Sequence, residues 1–240
     1  MYDTTPVELI QYHYSMLSDP VRTESYLRAI LQTVKPGDIV LDIGTGTGIL
    51  ACFACMAGAE HVYAIESGPV YALAQNIITQ NGYADRVTLI KDWSVNVDLP
   101  ERADVLITET IGNIGFEEGI LGWVLDARDH LLKPDARIIP QQVDLIAAPV
   151  ENLVDYTDVD GWSQAFYTMQ YGPARTLAAN NLYWTLLHPR NFLAEPAMIA
   201  TAALATCTSD DLTGEHTFAV THSGVMHGLG AWFQATLAPG

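Results

Sequence analysis

Glu109 and Glu118 stand nine residues apart in the stretch TETIGNIGFEEG, residues 108–119, which follows the apolar run ADVLI. A third carboxylate, Glu117, adjoins the second. Acidic groups leaving a strand end can solvate a loop, bind a metal or grip a cation. Two facing carboxylates without a cation repel each other, and one of them takes up a proton. A planar guanidinium between them relieves the repulsion through bidentate, charge-assisted hydrogen bonds. Residue types alone leave these uses open, and they leave open whether Glu117 or Glu118 partners Glu109. No metal site is expected: the 7 histidines are scattered and no H-E-x-x-H occurs. Cys52 and Cys55 form a lone C-x-x-C inside GILACFACMAGA, short of the roughly four ligands a zinc ion needs. They read as small residues on one helix face.

A second group of residues points to a nucleotide-like ligand. In VLDIGTGTGIL, the glycines Gly44, Gly46 and Gly48 let the backbone turn tightly and approach a ligand. The dinucleotide fingerprint G-x-G-x-x-G requires glycine where Ile49 stands. G-x-G-x-G preceded by Asp42, with Thr45 inside the loop, is instead the pattern of S-adenosyl-L-methionine-dependent methyltransferases. Glu66 follows 18 residues after Gly48, at the end of the next strand, where a carboxylate accepts from both ribose hydroxyls. The stretch DWSVNV after the third strand should meet the adenine ring. There Asp92 can accept from the amino group, and Trp93 can stack on the ring or pack in the core.

These residues need a scaffold, and the hydrophobic pattern supplies one. VELIQYHYSML and SDPVRTESYLRAILQTV read as helices, the second with Ser18 or Asp19 as N-cap and Pro20 in its first turn, stopped by KPGD. DIVLDI, HVYAIE, RVTLIK and ADVLITE read as strands, alternating with helices that end in EGILGWVLDARDHLL and its terminator KPDA. That alternation predicts an α/β fold, a doubly wound, Rossmann-like parallel sheet with N-terminal helices, over residues 1–140. After RIIP the texture changes. QQVDLIAAPV, AMIATAALATC, HTFAVTHSG and VMHGLGAWFQATL read as strands of a partial β-barrel-like domain over residues 141–240, with an irregular arm at 151–195.

With 240 residues and 49% hydrophobic content, the chain can build a sizeable core. A net charge of −17 with three lysines argues against nucleic acid as partner and suits a cationic one. No apolar run reaches the roughly 20 residues of a membrane span. The start lacks the basic-then-apolar layout of a signal peptide, so the expected setting is the cytoplasm.

Taken together, the motifs resemble the protein arginine methyltransferase family. YHYSMLSDPVRTESYLRAI is similar to that family's helical signature ending in M-L-x-D-x-x-R-T-x-x-Y. The likeness runs on through VLDIGTGTGIL, AIE, the double-glutamate loop and VLDARDHLLKPDARIIP, and returns weakly at VMHGLGAWF. The resemblance implies S-adenosyl-L-methionine as cofactor and an arginine guanidino group as methyl acceptor, in a protein or peptide. Free L-arginine or a small guanidino metabolite is the alternative substrate. Other openings are a different acceptor, or an inactive regulatory subunit. By matching position, Arg22 would pair with the cofactor's methionine carboxylate with His13 near it, and Met16 would pack beside the substrate arginine. Asp42, Gly44, Thr45, Gly46 and Gly48 would line the cofactor, Glu66 would hold its ribose, and Trp93 and Ser94 would face its adenine. Glu109 and Glu118 would grip the guanidinium, since Glu118 falls on the family's nine-residue spacing, leaving Glu117 as an exposed charge. The arm at 151–195, with aromatics such as Trp162, Tyr183 and Trp184, would make a homodimer.

Three departures from the family pattern bear on the site. Val95 stands where the family carries a glutamate for the adenine amino group, which shifts that task to the backbone, Ser94 or Asp92. TIGNIGFE replaces an aromatic-rich filling between the two glutamates, so the pocket walls differ. The family's later Thr-His-Trp loop has no counterpart, as expected of a short or truncated member.

Overall fold

The computed structural model describes residues 6–238; residues 1–5, on which part of the signal-peptide reading rests, and residues 239–240 lie outside them. Helix α1 spans Val7–Leu17 and α2 spans Pro20–Thr33. The Asp19 carboxylate caps α2 by accepting from the N–H groups of Val21 (2.9 Å) and Arg22 (3.3 Å). Such a cap contributes about 1 kcal/mol, and Pro20 occupies the first turn, where its missing N–H costs nothing. Tyr26, Ala29 and Ile30 bury one face of α2. Arg22, one turn before Tyr26, therefore points the same way.

The parallel sheet is built from β1 (Ile39–Ile43), β2 (His61–Ile65), β3 (Val87–Ile90), β4 (Ala103–Thr108) and β5 (Leu132–Ile139), in the order β3-β2-β1-β4-β5. Helices α3 (Ile49–Ala57), α4 (Tyr71–Gln80) and α5 (Ile120–His130) make the crossovers. Alternate residues of the central strands enter opposite layers. Val40 and Ile107 join Ile30 and Ala51 in one core, whereas Leu41 and Leu106 join Ile120 and Val124 in the other. Burial on both faces is what a parallel sheet requires, and each fully buried Leu or Ile contributes roughly 1.5–3 kcal/mol.

The strand order reverses between β1 and β4, and such switch points open a crevice at the strands' carboxyl ends. Ile43 pairs with Thr108 across that junction. The glycine loop after β1 and Glu109 after β4 thus leave the sheet side by side.

Two stretches fold otherwise than their sequences suggest. KPDA, read as a helix terminator, lies inside β5, where an edge strand tolerates Pro134 and the register against β4 shifts. Arg137 anchors that strand, donating to the carbonyl of Thr33 and to Asp38 (2.7 Å). HTFAVTHSG, read as a strand, contributes one bridge, Val220 to Ala194. The N–H groups of Thr221 and His222 both donate to the Leu193 carbonyl, at 2.8 and 3.2 Å, which turns the chain instead of continuing a ladder.

The chain divides into two compact units. The first takes the chain up to Asp144 together with Thr201–Leu212 and the segment from Phe233; the second comprises Leu145–Ala200 and Thr213–Trp232. Strands β6 (Gln142–Val150), β7 (Ala197–Ala203) and β8 (Gly228–Thr236) form a sheet in the order β7-β6-β8. β6 and β8 are antiparallel: Gln141 N–H donates to Thr236 at one end (2.7 Å), and His227 N–H to Val150 at the other (2.9 Å). Within the second unit, α6 (Leu153–Asp160) and α7 (Gly172–Ala179) lie in the arm. Arg175 ties them, donating to Ser163 (2.8 Å) and Asp160 (3.3 Å).

Candidate active site

Strand β1 delivers Asp42 and the glycine loop. Asp42 is fully buried and its Oδ2 accepts from the Thr45 hydroxyl at 2.6 Å. Gly44 has φ +74°, and a Cβ there would come within 2.8 Å of the Thr110 methyl, so only glycine fits. A Cβ on Gly46 would meet the His13 ring at 3.1 Å, which places α1 over this loop. Glu66, one residue past β2, accepts from Gly46 N–H (2.9 Å) with one carboxylate oxygen and from Gly68 N–H (2.6 Å) with the other, which ties the end of β2 to the glycine turn.

Among the described residues, two buried side-chain polar atoms have no hydrogen-bond partner: Asp42 Oδ1 and Ser94 Oγ. An orphaned buried polar atom costs about 1–3 kcal/mol. Both orphans lie on the segments assigned to the cofactor, under the glycine loop and just past β3. Together with the Cβ-free cradle and the aimed Glu66 carboxylate, they fit a nucleoside-bearing cofactor.

The loop after β3 is shaped by Asp92, whose Oδ1 accepts from Trp93 N–H (2.7 Å) and the Asn96 amide (2.8 Å). These two bonds hold the Asp92 carboxyl below the usual carboxylate range. Trp93 lies neither in the core nor free: 55% exposed, its ring stacks on Trp123 at 5.6 Å between centroids.

The double-glutamate loop leaves β4 under tight control. Tyr26, buried, donates its hydroxyl to the Thr108 carbonyl (3.0 Å), and the Thr108 hydroxyl donates to Ile43 (3.0 Å). Immediately beyond, Glu109 forms an ion pair with Arg22. The resemblance puts Arg22 on the cofactor carboxylate; here its guanidinium pairs with Glu109. Glu118 lies in the same field: burial raises its carboxyl above the ordinary range, Glu117 adds to that, and Arg22 opposes both. The residue as a whole remains open to solvent.

Neighbours on α1 report the same geometry. Burial raises the Tyr12 phenol, Glu118 reinforces the shift and Arg22 counters it. Burial lowers His13 against the pull of Glu66, which keeps its imidazole neutral near pH 7. Met16 is half-buried, and its carbonyl accepts from the Thr23 hydroxyl at 3.3 Å.

Glu117 departs from the reading of an idle surface charge. Its carboxylate folds back and accepts from Asn113 N–H and from Ile114 N–H (3.0 Å), pinning the loop. Four residues at the site escaped sequence reasoning. Trp123 carried no motif signal, and Tyr12 and Thr110 lie inside quoted motifs without having been singled out. Glu117 was set aside because its spacing was wrong for a clamp, although a carboxylate four residues after a Gly-Asn turn is suited to capping that turn.

Comparison with known proteins agrees with this geometry. The ribosomal protein L11 methyltransferase family matches residues 21–139. Protein arginine N-methyltransferase 6 of Xenopus laevis is 33% identical over 239 residues, covering 95% of this chain and 70% of that protein. The chain belongs to the protein arginine N-methyltransferase family. The Danio rerio protein arginine N-methyltransferase 6 is 32% identical, with 95% of this chain and 68% of that protein covered. Among solved structures, Arabidopsis thaliana protein arginine methyltransferase 10 superposes with a TM-score of 0.76 at 27% identity, covering 92% of this chain and 72% of that one. The Trypanosoma brucei PRMT1 enzyme–prozyme heterotetramer, solved with AdoHcy, gives 0.74 at 27% identity over 82% of this chain and 63% of that one. As an arginine methyltransferase, the chain uses S-adenosyl-L-methionine as its cofactor, in agreement with the orphaned atoms and glycine cradle described above.

Proposed function

We propose that this arginine methyltransferase methylates the guanidino group of arginine in proteins or peptides, with Glu109 and Glu118 as the guanidinium clamp. The observation that carries the assignment is the ion pair of Glu109 with the Arg22 guanidinium, in which the first carboxylate past β4 takes such a cation. Glu118 lies near enough for Arg22 to oppose the burial that raises its carboxyl.

Asp42, Gly44, Thr45, Gly46 and Gly48 line the cofactor, Glu66 holds its ribose, and His13 closes the loop from above. Arg22 is the cation for the cofactor's carboxylate, and its reach to Glu109 links the two halves of the site. Ser94, with its unpaired hydroxyl, serves the adenine where the chain carries Val95. The bound cofactor supplies an electrophilic methyl group.

The clamp works on the guanidinium's electron distribution. At pH 7 a guanidinium of pKa above 12 resists deprotonation by about 7 kcal/mol. Two carboxylates stabilise the cation and so deepen that resistance; removing the proton first is not their role. They hold two nitrogens by charge-assisted hydrogen bonds and draw the positive charge there. The third nitrogen keeps its electron density for attack, and alignment supplies much of the remaining acceleration. Its proton is lost as the new bond forms, to a carboxylate of the clamp or to water.

The protein substrate reading is supported by the acidic balance of 28 Asp and Glu against 11 Lys and Arg, which draws arginine-rich segments. The same proposal sets the enzyme in the cytoplasm and makes it a homodimer. The second unit displays Tyr167, Leu186 and Trp184 at 91%, 88% and 78% exposure, an apolar surface suited to another copy. Labelled methyl transfer tests the substrate: incorporation into an arginine peptide is expected, with its lysine-for-arginine version unlabelled. Label confined to free arginine would overturn the protein reading.

A further inference from the structure

The clamp loop runs through Gly112, Gly115 and Gly119, all at positive φ. A chain so rich in glycine does not hold a side chain's direction by its own backbone preferences. Yet a clamp works only when its carboxylate is held within about half an ångström of the productive position. The loop must therefore be fixed from outside. Glu117 pins its first half through Asn113 and Ile114. The second half, which carries Glu118, is held by another group.

Trp123 lies on the first turn of α5 and donates its indole N–H to the Glu118 carbonyl at 2.9 Å. Gly119 between them has φ +80°, and a Cβ there would lie 3.3 Å from the indole nitrogen. The indole in turn is held by Trp93, stacked on it with 18° between the ring planes. Trp93 is set by the turn that Asp92 closes, next to Ser94 and its unpaired hydroxyl. A continuous chain of contacts thus runs from the loop after β3 to the backbone of Glu118.

We propose that Trp123, braced by Trp93, is the positioning residue that aims Glu118, and that the stack ties the clamp to the loop facing the adenine. Trp123 touches neither the substrate nor the reacting atoms; it acts on the direction of a residue that does. The phenyl ring in Trp123→Phe keeps a stacking surface but has no N–H to donate. The inference rests on Glu118 being the clamp.

The test compares the wild-type chain with Trp123→Phe, Trp93→Ala and Trp93→Phe. Trp123→Phe should lower kcat about tenfold, the size of one lost hydrogen bond, with S-adenosylhomocysteine affinity by calorimetry within about twofold and a Tm lower by about 2–4 °C. Amide hydrogen exchange of residues 113–119 should quicken at least about fivefold in the same variant. Trp93→Ala should share the faster exchange, and Trp93→Phe, which keeps a ring to stack on Trp123, should show less of it. Wild-type kcat and exchange in Trp123→Phe would overturn the proposal. So would a fall in kcat matched by an equal loss of cofactor affinity. The exchange measurement needs no turnover. If Glu118→Gln keeps normal activity, the clamp assignment has failed, and the exchange still reports on the brace.

Discussion

At the scale of single residues, the site assigns different duties to chemically similar side chains. Four glutamates meet the ligands or the loop, and their partners separate them. Glu66 accepts from Gly46 N–H of the glycine turn and from Gly68 N–H, Glu109 pairs with Arg22, burial raises the Glu118 carboxyl, and Glu117 caps a turn. Removal of each should therefore fail differently. Glu118→Gln keeps the shape but weakens the charge that localises the substrate cation; kcat should drop about 10²–10³-fold while calorimetric S-adenosylhomocysteine affinity holds. Near-normal turnover would sink the clamp. Glu66→Ala loses the proposed acceptor for two ribose hydroxyls and should weaken cofactor binding about 10–100-fold. Unchanged affinity there would remove Glu66 from the ribose.

At the scale of elements, the β1–loop–α3 unit carries a measurable electrostatic signature. Burial pushes the Asp42 carboxyl up to about 7, with Glu66 adding to the shift and the Thr45 hydroxyl opposing it. In the unfolded chain the same group titrates near 4. Between those values the folded protein holds a proton that the unfolded chain has released. This contribution to stability is complete below about pH 4 and is lost as pH rises through about 7. Asp42→Asn has no proton to lose and keeps an acceptor for Thr45. Its Tm should fall less than that of the wild type between pH 5 and pH 8; parallel curves would show that Asp42 is ionised in the fold. Element identity was largely legible beforehand, because β1, β2 and β4 are apolar runs of strand length between glycine turns and periodic helices. KPDA and HTFAVTHSG were not, because their local pattern is outvoted by neighbours. β5 is called into register by β4 and anchored by Arg137, whereas Leu193 takes the hydrogen bonds that a strand through Thr221 and His222 would need.

At the scale of the molecule, the composition and the arm make a joint prediction. Light scattering should give about twice the 26.2 kDa chain mass, and Trp184→Asp with Leu186→Asp should return it to the single-chain value. A wild-type monomer at micromolar concentration would overturn the homodimer. These two side chains expose 78% and 88% of their surface, so their replacement leaves the folded unit intact and isolates the association step.

The sequence by itself determined the α/β class and the glycine turn after β1 with Glu66 at the end of the next strand. Those are properties of local pattern: strand runs, turn glycines and motif spacing follow from backbone sterics and the alternation of burial. Tertiary structure alone decided where Arg22 points, what Glu117 caps, and that Trp93 meets Trp123. Each of those contacts joins side chains whose meeting depends on how α2, the clamp loop and α5 pack on the sheet. Hydrogen-bond direction and ring stacking act over a few ångströms, and sequence separation carries no record of that distance until the sheet has brought the ends of β1, β3 and β4 together.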